Sequence, residues 1–279
     1  IALPGSALSF RFSTILSSAA SIRGRGGIRM IIYFSATGNS KYVAERIAEE
    51  FGDTAVSIEG SDGRIELEDC GILGFVTPVY WGELPAPVRG FLQDLRIDGA
   101  EPSYSFIVTT CGTTSGCTYV EAERILSAKG MGLDAGFSVR MPDTWTPLFD
   151  LSDSDKVETL NEEAETYIDD VLEGIRNRVK GNRMRKATPY VLRLIADPLY
   201  NRARRTKNLH VEDGCIGCGL CAEKCPVQAI EIRDGKPVWV KEQCALCLRC
   251  LHLCPKFAIQ YGNGRTRKHG QYRNPHVKV

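Results

Sequence analysis

No apolar run in this 279-residue chain approaches the roughly eighteen residues that a membrane-spanning helix needs. Histidine is scarce: there are four, scattered, so neither an H-x-x-x-H metal site nor a nucleophile–histidine–acid triad can be assembled from the sequence. No G-x-x-x-x-G-K-[ST] occurs, which disfavours a nucleoside triphosphate. Gly24-Arg25-Gly26-Gly27 fails as a dinucleotide fingerprint, because Arg29 stands where the third glycine belongs. No C-x3-C-x2-C triplet exists, with Gln228 and Phe257 at the critical positions, so a radical S-adenosylmethionine cluster is unsupported. The first 29 residues lack acids and carry four arginines. That composition imitates an organelle transit peptide, but residues 1–29 are expected to be a disordered extension ahead of a folded pattern opening at Ile28–Met30.

Cysteine is not scarce. There are eleven, and eight fall into two runs, the second repeating the first 29 residues later. Cys215, Cys218, Cys221 and Cys225 precede Pro226; Cys244, Cys247, Cys250 and Cys254 precede Pro255. Two copies of C-x2-C-x2-C-x3-C-P are what a pair of [4Fe–4S] clusters requires, the fourth cysteine of each run ligating the other cluster. Cys215, Cys218, Cys221 and Cys254 are therefore assigned to one cluster, and Cys244, Cys247, Cys250 and Cys225 to the other. Zinc ribbons also use C-x2-C pairs, but leave the third cysteine and both prolines without a purpose. Nothing reads as a disulfide-stapled secreted domain. Residues 208–261 thus resemble a bacterial-type two-cluster ferredoxin at all eight ligands and both prolines.

The chain is long enough for two cores. Its net charge of +1 conceals a partition: residues 30–180 carry 27 acids and 12 bases, a balance of −15, while residues 181–279 carry 7 acids and 19 bases, a balance of +12. The two parts should attract each other.

Met30–Phe34 reads as a buried strand, followed by the hydroxyl-rich turn Ser35-Ala36-Thr37-Gly38-Asn39-Ser40 and an amphipathic helix carrying Val43, Ile47 and Phe51. Strand, tight turn and helix N-terminus make an anion site; an unliganded serine-rich cap is the alternative. Cys70–Val76 is a second strand, ending in Thr77-Pro78-Val79-Tyr80-Trp81-Gly82-Glu83-Leu84-Pro85, where adjacent aromatics suit stacking on a flat ring or packing on the core. Ser105–Thr109 is a third, leading into Thr110-Cys111-Gly112-Thr113-Thr114-Ser115-Gly116. All three loops leave the C-terminal ends of parallel strands, the binding edge of an open doubly wound sheet. Leu133–Val139 gives another strand and Asp155–Lys180 a long last helix.

Residues 30–180 resemble a flavodoxin. The resemblance implies an α/β fold, a doubly wound five-stranded parallel sheet in the order 2-1-3-4-5, and bound FMN. It would assign Ser35, Thr37, Gly38, Asn39 and Ser40 to the phosphate, Tyr80, Trp81 and Gly82 to the isoalloxazine ring, and Cys111, Gly112 and Thr113 to its pyrimidine edge. The whole arrangement, a flavodoxin-like domain and then a small α+β two-cluster ferredoxin domain, resembles the EFR-type ferrodoxin family; Met141-Pro142-Asp143 and the tail from Tyr261-Gly262 to Asn274-Pro275 carry weaker likeness. Residues 181–207 are expected to be a basic helical linker, in which Val191, Leu194, Ile195 and Leu199 pack and the arginines meet the acidic first domain; a basic surface for an anionic membrane or acidic partner is the alternative. Residues 262–279 are expected to be a basic mobile tail, with no nucleic-acid role. Cys70, Cys111 and Cys117 are expected to be mainly buried thiols, with a redox role for Cys111, from its loop position, as the alternative. The expected function is cytoplasmic electron transfer between redox partner proteins through two [4Fe–4S] clusters and FMN. A reductase of a small acceptor, such as a quinone or nitro compound, is the rival, and a redox sensor the lesser alternative; no catalytic residue is assigned.

Overall fold

The computed structural model describes residues 20–23, 29–67 and 71–279. Its first part comprises β1 (Ala20–Arg23), β2 (Arg29–Tyr33), α1 (Asn39–Glu50), β3 (Ala55–Ser57), β4 (Ser61–Leu67), β5 (Ile72–Pro78), α2 (Ala86–Asp94), β6 (Arg96–Gly99), β7 (Tyr104–Cys111), α3 (Thr118–Ser127), β8 (Ala135–Arg140), α4 (Ser154–Arg176) and β9 (Gly181–Asn182). After α5 (Arg193–Ala203) come β10 (Leu209–Val211), α6 (Leu220–Glu223), β11 (Ile230–Arg233), β12 (Lys236–Trp239), α7 (Arg249–His252), β13 (Ile259–Tyr261) and α8 (Arg265–His269).

Side chains alternate across a strand, so a strand that is apolar throughout buries both faces. Ile31 faces Val43 and Ile47 of α1 and Ile168, Val171 and Ile175 of α4. Met30 and Ile32, one residue to either side, face Val88 and Leu92 of α2 and Leu126 of α3. The resulting sheet has the order β3-β2-β5-β7-β8-β9, parallel throughout. This is the expected 2-1-3-4-5 order, with a two-residue sixth strand at the edge in place of the five-stranded limit. Gly181 N–H donates to Asp134 O and Arg183 N–H to Gly136 O, each at 2.7 Å, and Met184 is buried in the second core layer. The start of the segment read as a linker therefore runs along the sheet.

A smaller parallel sheet, β1-β4-β6, lies beside the main one. Ala20–Arg23 belongs to the segment expected to be disordered and is instead a strand; the rest of that expectation, apart from Arg29 in β2, falls outside the described residues, as does Cys70.

The C-terminal part keeps the 29-residue repeat in its backbone. Left-handed residues recur at Gly217 and Leu246, Gly219 and Leu248, Gln228 and Phe257. Glycine adopts this conformation freely and leucine rarely. The two loops wind alike because both place three thiols around one void, and the second copy tolerates the strain. Antiparallel β10–β13 and the hairpin β11–β12, turning at Asp234-Gly235, complete the unit.

Two expectations are corrected here. The tail is not mobile: Tyr272 and Asn274 are buried, Asn274 N–H donates to Thr37 O at 2.8 Å, and His276 stacks on Tyr42 with centroids 4.7 Å apart. Its basic composition hid the few neutral groups that hold it. The helix in the linker is inverted: Arg193 faces inward, whereas Val191, Leu194, Ile195 and Leu199 are exposed.

Candidate functional site

The turn after β2 is built for an anion. Ser35, Thr37, Asn39 and Ser40 are all buried. Gly38 takes a left-handed conformation (φ 105°) at the N-cap of α1, and its N–H donates to Ser35 Oγ at 3.1 Å. Among the described residues, the N–H groups of Thr37, Asn39 and Ser40 and the Thr37 hydroxyl make no hydrogen bond to the chain. Free donors at a helix N-terminus suit a phosphate. The Asn39 side chain is committed elsewhere: its Nδ2 donates to Pro142 O at 3.2 Å, and its Oδ1 accepts from Tyr272 Oη at 2.8 Å and Asn274 Nδ2 at 3.2 Å. Only its backbone can face an anion. Ser40 Oγ pairs with Thr110 Oγ1 at 2.7 Å and ties this turn to the loop after β7.

In the loop after β5, Tyr80 and Glu83 exchange two backbone hydrogen bonds of 3.0 Å across left-handed Trp81 and Gly82. This is the backbone of a type I′ turn. The turn sends its aromatics apart. Trp81 is 41% exposed, while Tyr80 packs toward Tyr200 and Leu246. The Tyr80 hydroxyl is buried without a partner, and burial raises its pKa well above the phenol range. Only Trp81 is left free to stack on a ring from the open side. Gly116 supports the turn, since a Cβ there would lie 2.0 Å from Gly82 O. Cys111, Gly112 and Thr113 leave β7 at the same sheet edge, with Gly112 against Asp143. Burial pushes the Cys111 thiol up to about 12, away from the range of a reactive thiolate. Cys117 is likewise buried and pushed up to about 11.

The eight motif cysteines surround two small voids, each partly open to solvent. Cys225, Cys244, Cys247 and Cys250 line the first; Cys215, Cys218, Cys221 and Cys254 line the second. Each void gathers three thiols from one run and the fourth from the other. Among the described residues no three His, Cys, Asp or Glu side chains converge as a single ion would require; the thiols ring a space instead. Burial pushes Cys247 up to about 12 and Cys221 up to about 11, so bare thiolates are costly there and a cationic metal core would offset that cost. Backbone N–H groups of Ala229, Leu246 and Ala258 donate to the sulfurs of Cys225, Cys244 and Cys254 at 3.2–3.3 Å.

The sequence reading missed two residues. Arg249, between Cys247 and Cys250, is 6% exposed. Its guanidinium donates to Ala36 O at 3.2 Å, to Ser35 O, to both carboxylate oxygens of Glu59 and to Lys224 O at 2.9 Å. One side chain thus joins the anion turn to both cysteine runs. Trp145 lies between Trp81 (6.0 Å) and Tyr261 (5.1 Å), edge-on to both. Trp145's only signal was its place two residues beyond Met141-Pro142-Asp143.

A family described as a flavodoxin domain matches residues 30–169, half of the chain. The chain belongs to that family. A 4Fe-4S dicluster domain matches residues 214–258. The protein is therefore a flavodoxin–ferredoxin fusion, an electron-transfer flavo-iron–sulfur protein. No curated protein matches it. Among solved structures, a Bacteroides uniformis protein assigned as a flavoprotein is 19% identical, with a TM-score of 0.30, over 42% of this chain and 92% of its own. Rubredoxin oxygen:oxidoreductase from Desulfovibrio gigas is 16% identical, with a TM-score of 0.29, over 53% of this chain and 37% of its own. Likeness at that level carries no argument about this protein.

Proposed function

We propose that this protein is a cytoplasmic electron carrier of the EFR-type ferrodoxin family, passing electrons between two [4Fe–4S] clusters and FMN. When bound, FMN exchanges one or two electrons and each cluster one. Backbone N–H groups of the Ser35–Ser40 turn and the Thr37 hydroxyl hold the phosphate. Trp81 and Gly82 flank the ring, and Cys111, Gly112 and Thr113 meet its pyrimidine edge. Cys215, Cys218, Cys221 and Cys254 hold one cluster; Cys225, Cys244, Cys247 and Cys250 hold the other.

The observation that carries this reading is Arg249, whose backbone belongs to the second cysteine run while its side chain grips the carbonyls of the anion turn. It fixes the separation between the two binding sites. Fully buried Tyr200 and partly buried Tyr80 pack with Leu246, the residue before Cys247, in one apolar cluster. Fixed distance and a dry path are what electron transfer asks of a protein, with no general base.

Anaerobically isolated protein is expected to hold about eight irons and one FMN per chain. Cys225→Ala is expected to damage the cluster of the second run and spare that of the first in cluster-resolved spectroscopy. Zinc in place of iron, or selective loss of the first-run cluster, would overturn the assignment.

A further inference from the structure

Residues 181–207 contain eight bases and one acid, Asp197. The polar side of α5 is spoken for. Arg193 lies within 3.5 Å of Glu83 and Glu121 and 3.3 Å of Asp197. Tyr200 is fully buried and donates to Ala245 O at 3.1 Å, and Arg204 Nε donates to Cys244 O at 2.7 Å. These contacts reach the first domain on one side and the second cysteine run on the other, so they fix the rotation of the helix. Everything a quarter-turn or more away must face out.

What faces out is aliphatic. Leu194 is 77% exposed, Ile195 66%, Val191 63% and Leu199 48%. Leu194, Ile195 and Leu199 lie on one side of α5, Leu199 five and four residues after the other two, and Val191 precedes them in a single 3-10 turn, so the row is continuous. Arg202 continues the row three residues after Leu199, and Arg205 lies three residues beyond; both are exposed and, among the described residues, make no ion pair. Arg185 and Lys186, also exposed, precede the helix. The only acid, Asp197, is turned inward against Arg193 and Arg89. An exposed aliphatic row between basic ends marks a contact surface and not a solvated one.

We propose that α5 is a peripheral docking element that seats this protein on an anionic lipid surface. Helices that lie in a bilayer interface have this construction, with apolar side chains entering the acyl boundary and basic groups at headgroup level. A second copy of the chain is disfavoured by the same charges, because a two-fold contact would set basic end against basic end. The aromatic and arginine anchors typical of a protein-binding hot spot are absent from the centre of the stripe. Docked this way, the helix would hold both redox units at a set height above the membrane without any spanning segment.

The test is co-sedimentation of the anaerobic holoprotein with phosphatidylcholine vesicles, with and without about one-third phosphatidylglycerol. The expected result is binding to the anionic vesicles at least about tenfold tighter than to neutral ones, weakening as salt rises. Leu194→Asp with Ile195→Asp, and separately Arg202→Glu with Arg205→Glu, are each expected to reduce it by about tenfold or more, while flavin and cluster absorbance is unchanged. All four side chains are exposed, so the fold should survive. Absence of wild-type binding would overturn the proposal. So would binding indifferent to the aspartates, which would mean non-specific charge attraction, or dimerisation that depends on Leu194 without vesicle binding, which would assign the face to a second copy.

Discussion

Removing the Arg249 guanidinium tests whether one side chain couples the two redox sites. Five hydrogen bonds end on it, two to Glu59, one to each of Ser35 O, Ala36 O and Lys224 O. Breaking a buried ion pair by deleting one partner costs roughly 3–5 kcal/mol. Glu59 keeps 29% exposure of its side chain and can rehydrate, which argues for the lower end. Arg249→Ala is therefore expected to destabilise the protein by about 3 kcal/mol, with Arg249→Lys losing roughly half as much, since an ammonium keeps the charge but not the planar fork. The loss should not be uniform. Freed carbonyls at Ser35 and Ala36 loosen the turn, so FMN affinity should fall by about tenfold while the iron content holds. Anaerobic denaturant titration, FMN titration and iron analysis on the same preparations measure all three. A wild-type midpoint and wild-type FMN affinity in Arg249→Ala would refute the coupling. A lysine variant equal to wild type would show that charge alone matters.

Thr37→Ala is expected to weaken FMN by roughly 1.5–3 kcal/mol, the range for a hydrogen bond to a charged group, with the flavin spectrum largely unchanged; equal affinity by fluorescence titration would put the phosphate elsewhere. Asn274→Ala combined with Tyr272→Phe removes the two side-chain hydrogen bonds that the tail makes to Asn39 Oδ1 while leaving the backbone bond of Asn274 to Thr37 O, and is expected to speed FMN dissociation in stopped flow. In the cluster of buried Glu83 and Glu121 and partly exposed Asp197 with Arg89 and Arg193, three carboxylates share two guanidiniums. Burial first, then Asp197, pushes Glu83 up to about 7 from 4.5. The folded state thus favours the protonated acid; its stabilising contribution is complete below about pH 4.5 and is lost as pH rises through about 7. Glu83→Gln is expected to flatten that slope in denaturant midpoints measured across the range, and an unchanged slope would assign the titration to another group.

The most legible parts of this protein are those set by local spacing. The cysteine runs at Cys215 and Cys244 are set locally, each cysteine three or four positions from the next, so they announce themselves. Buried parallel strands are equally local, as at Met30–Phe34 and Ser105–Thr109, where neither face needs a polar residue. The rotation of α5 was not legible for the opposite reason. Periodicity identifies the apolar stripe through Val191, Ile195 and Leu199, but says nothing about what waits on the other side. Glu83 and Glu121, both buried and more than seventy residues upstream, capture Arg193 and turn the stripe outward.

The same contrast explains how the two units meet. A balance of −15 against +12 invites a picture of loose electrostatic attraction. The contacts are different in kind. His252 is fully buried and held neutral, its pKa pushed down to about 4 by burial. Its Nδ1 accepts from Tyr272 N–H at 3.1 Å, so Nε2 carries the proton and donates to Thr144 O at 2.9 Å. Tyr272 and Asn274 bond Asn39, and Tyr200 bonds Ala245 O. Most of these ties are neutral, directional and shielded from water, and in the Arg249–Glu59 pair the guanidinium is buried. Salt at physiological strength screens exposed charges beyond about 8 Å and reaches such bonds little. The charge partition is then free to act outward, on whatever surface or partner meets α5 and the acidic face of the first domain, while geometry between the redox sites is kept by short-range bonds.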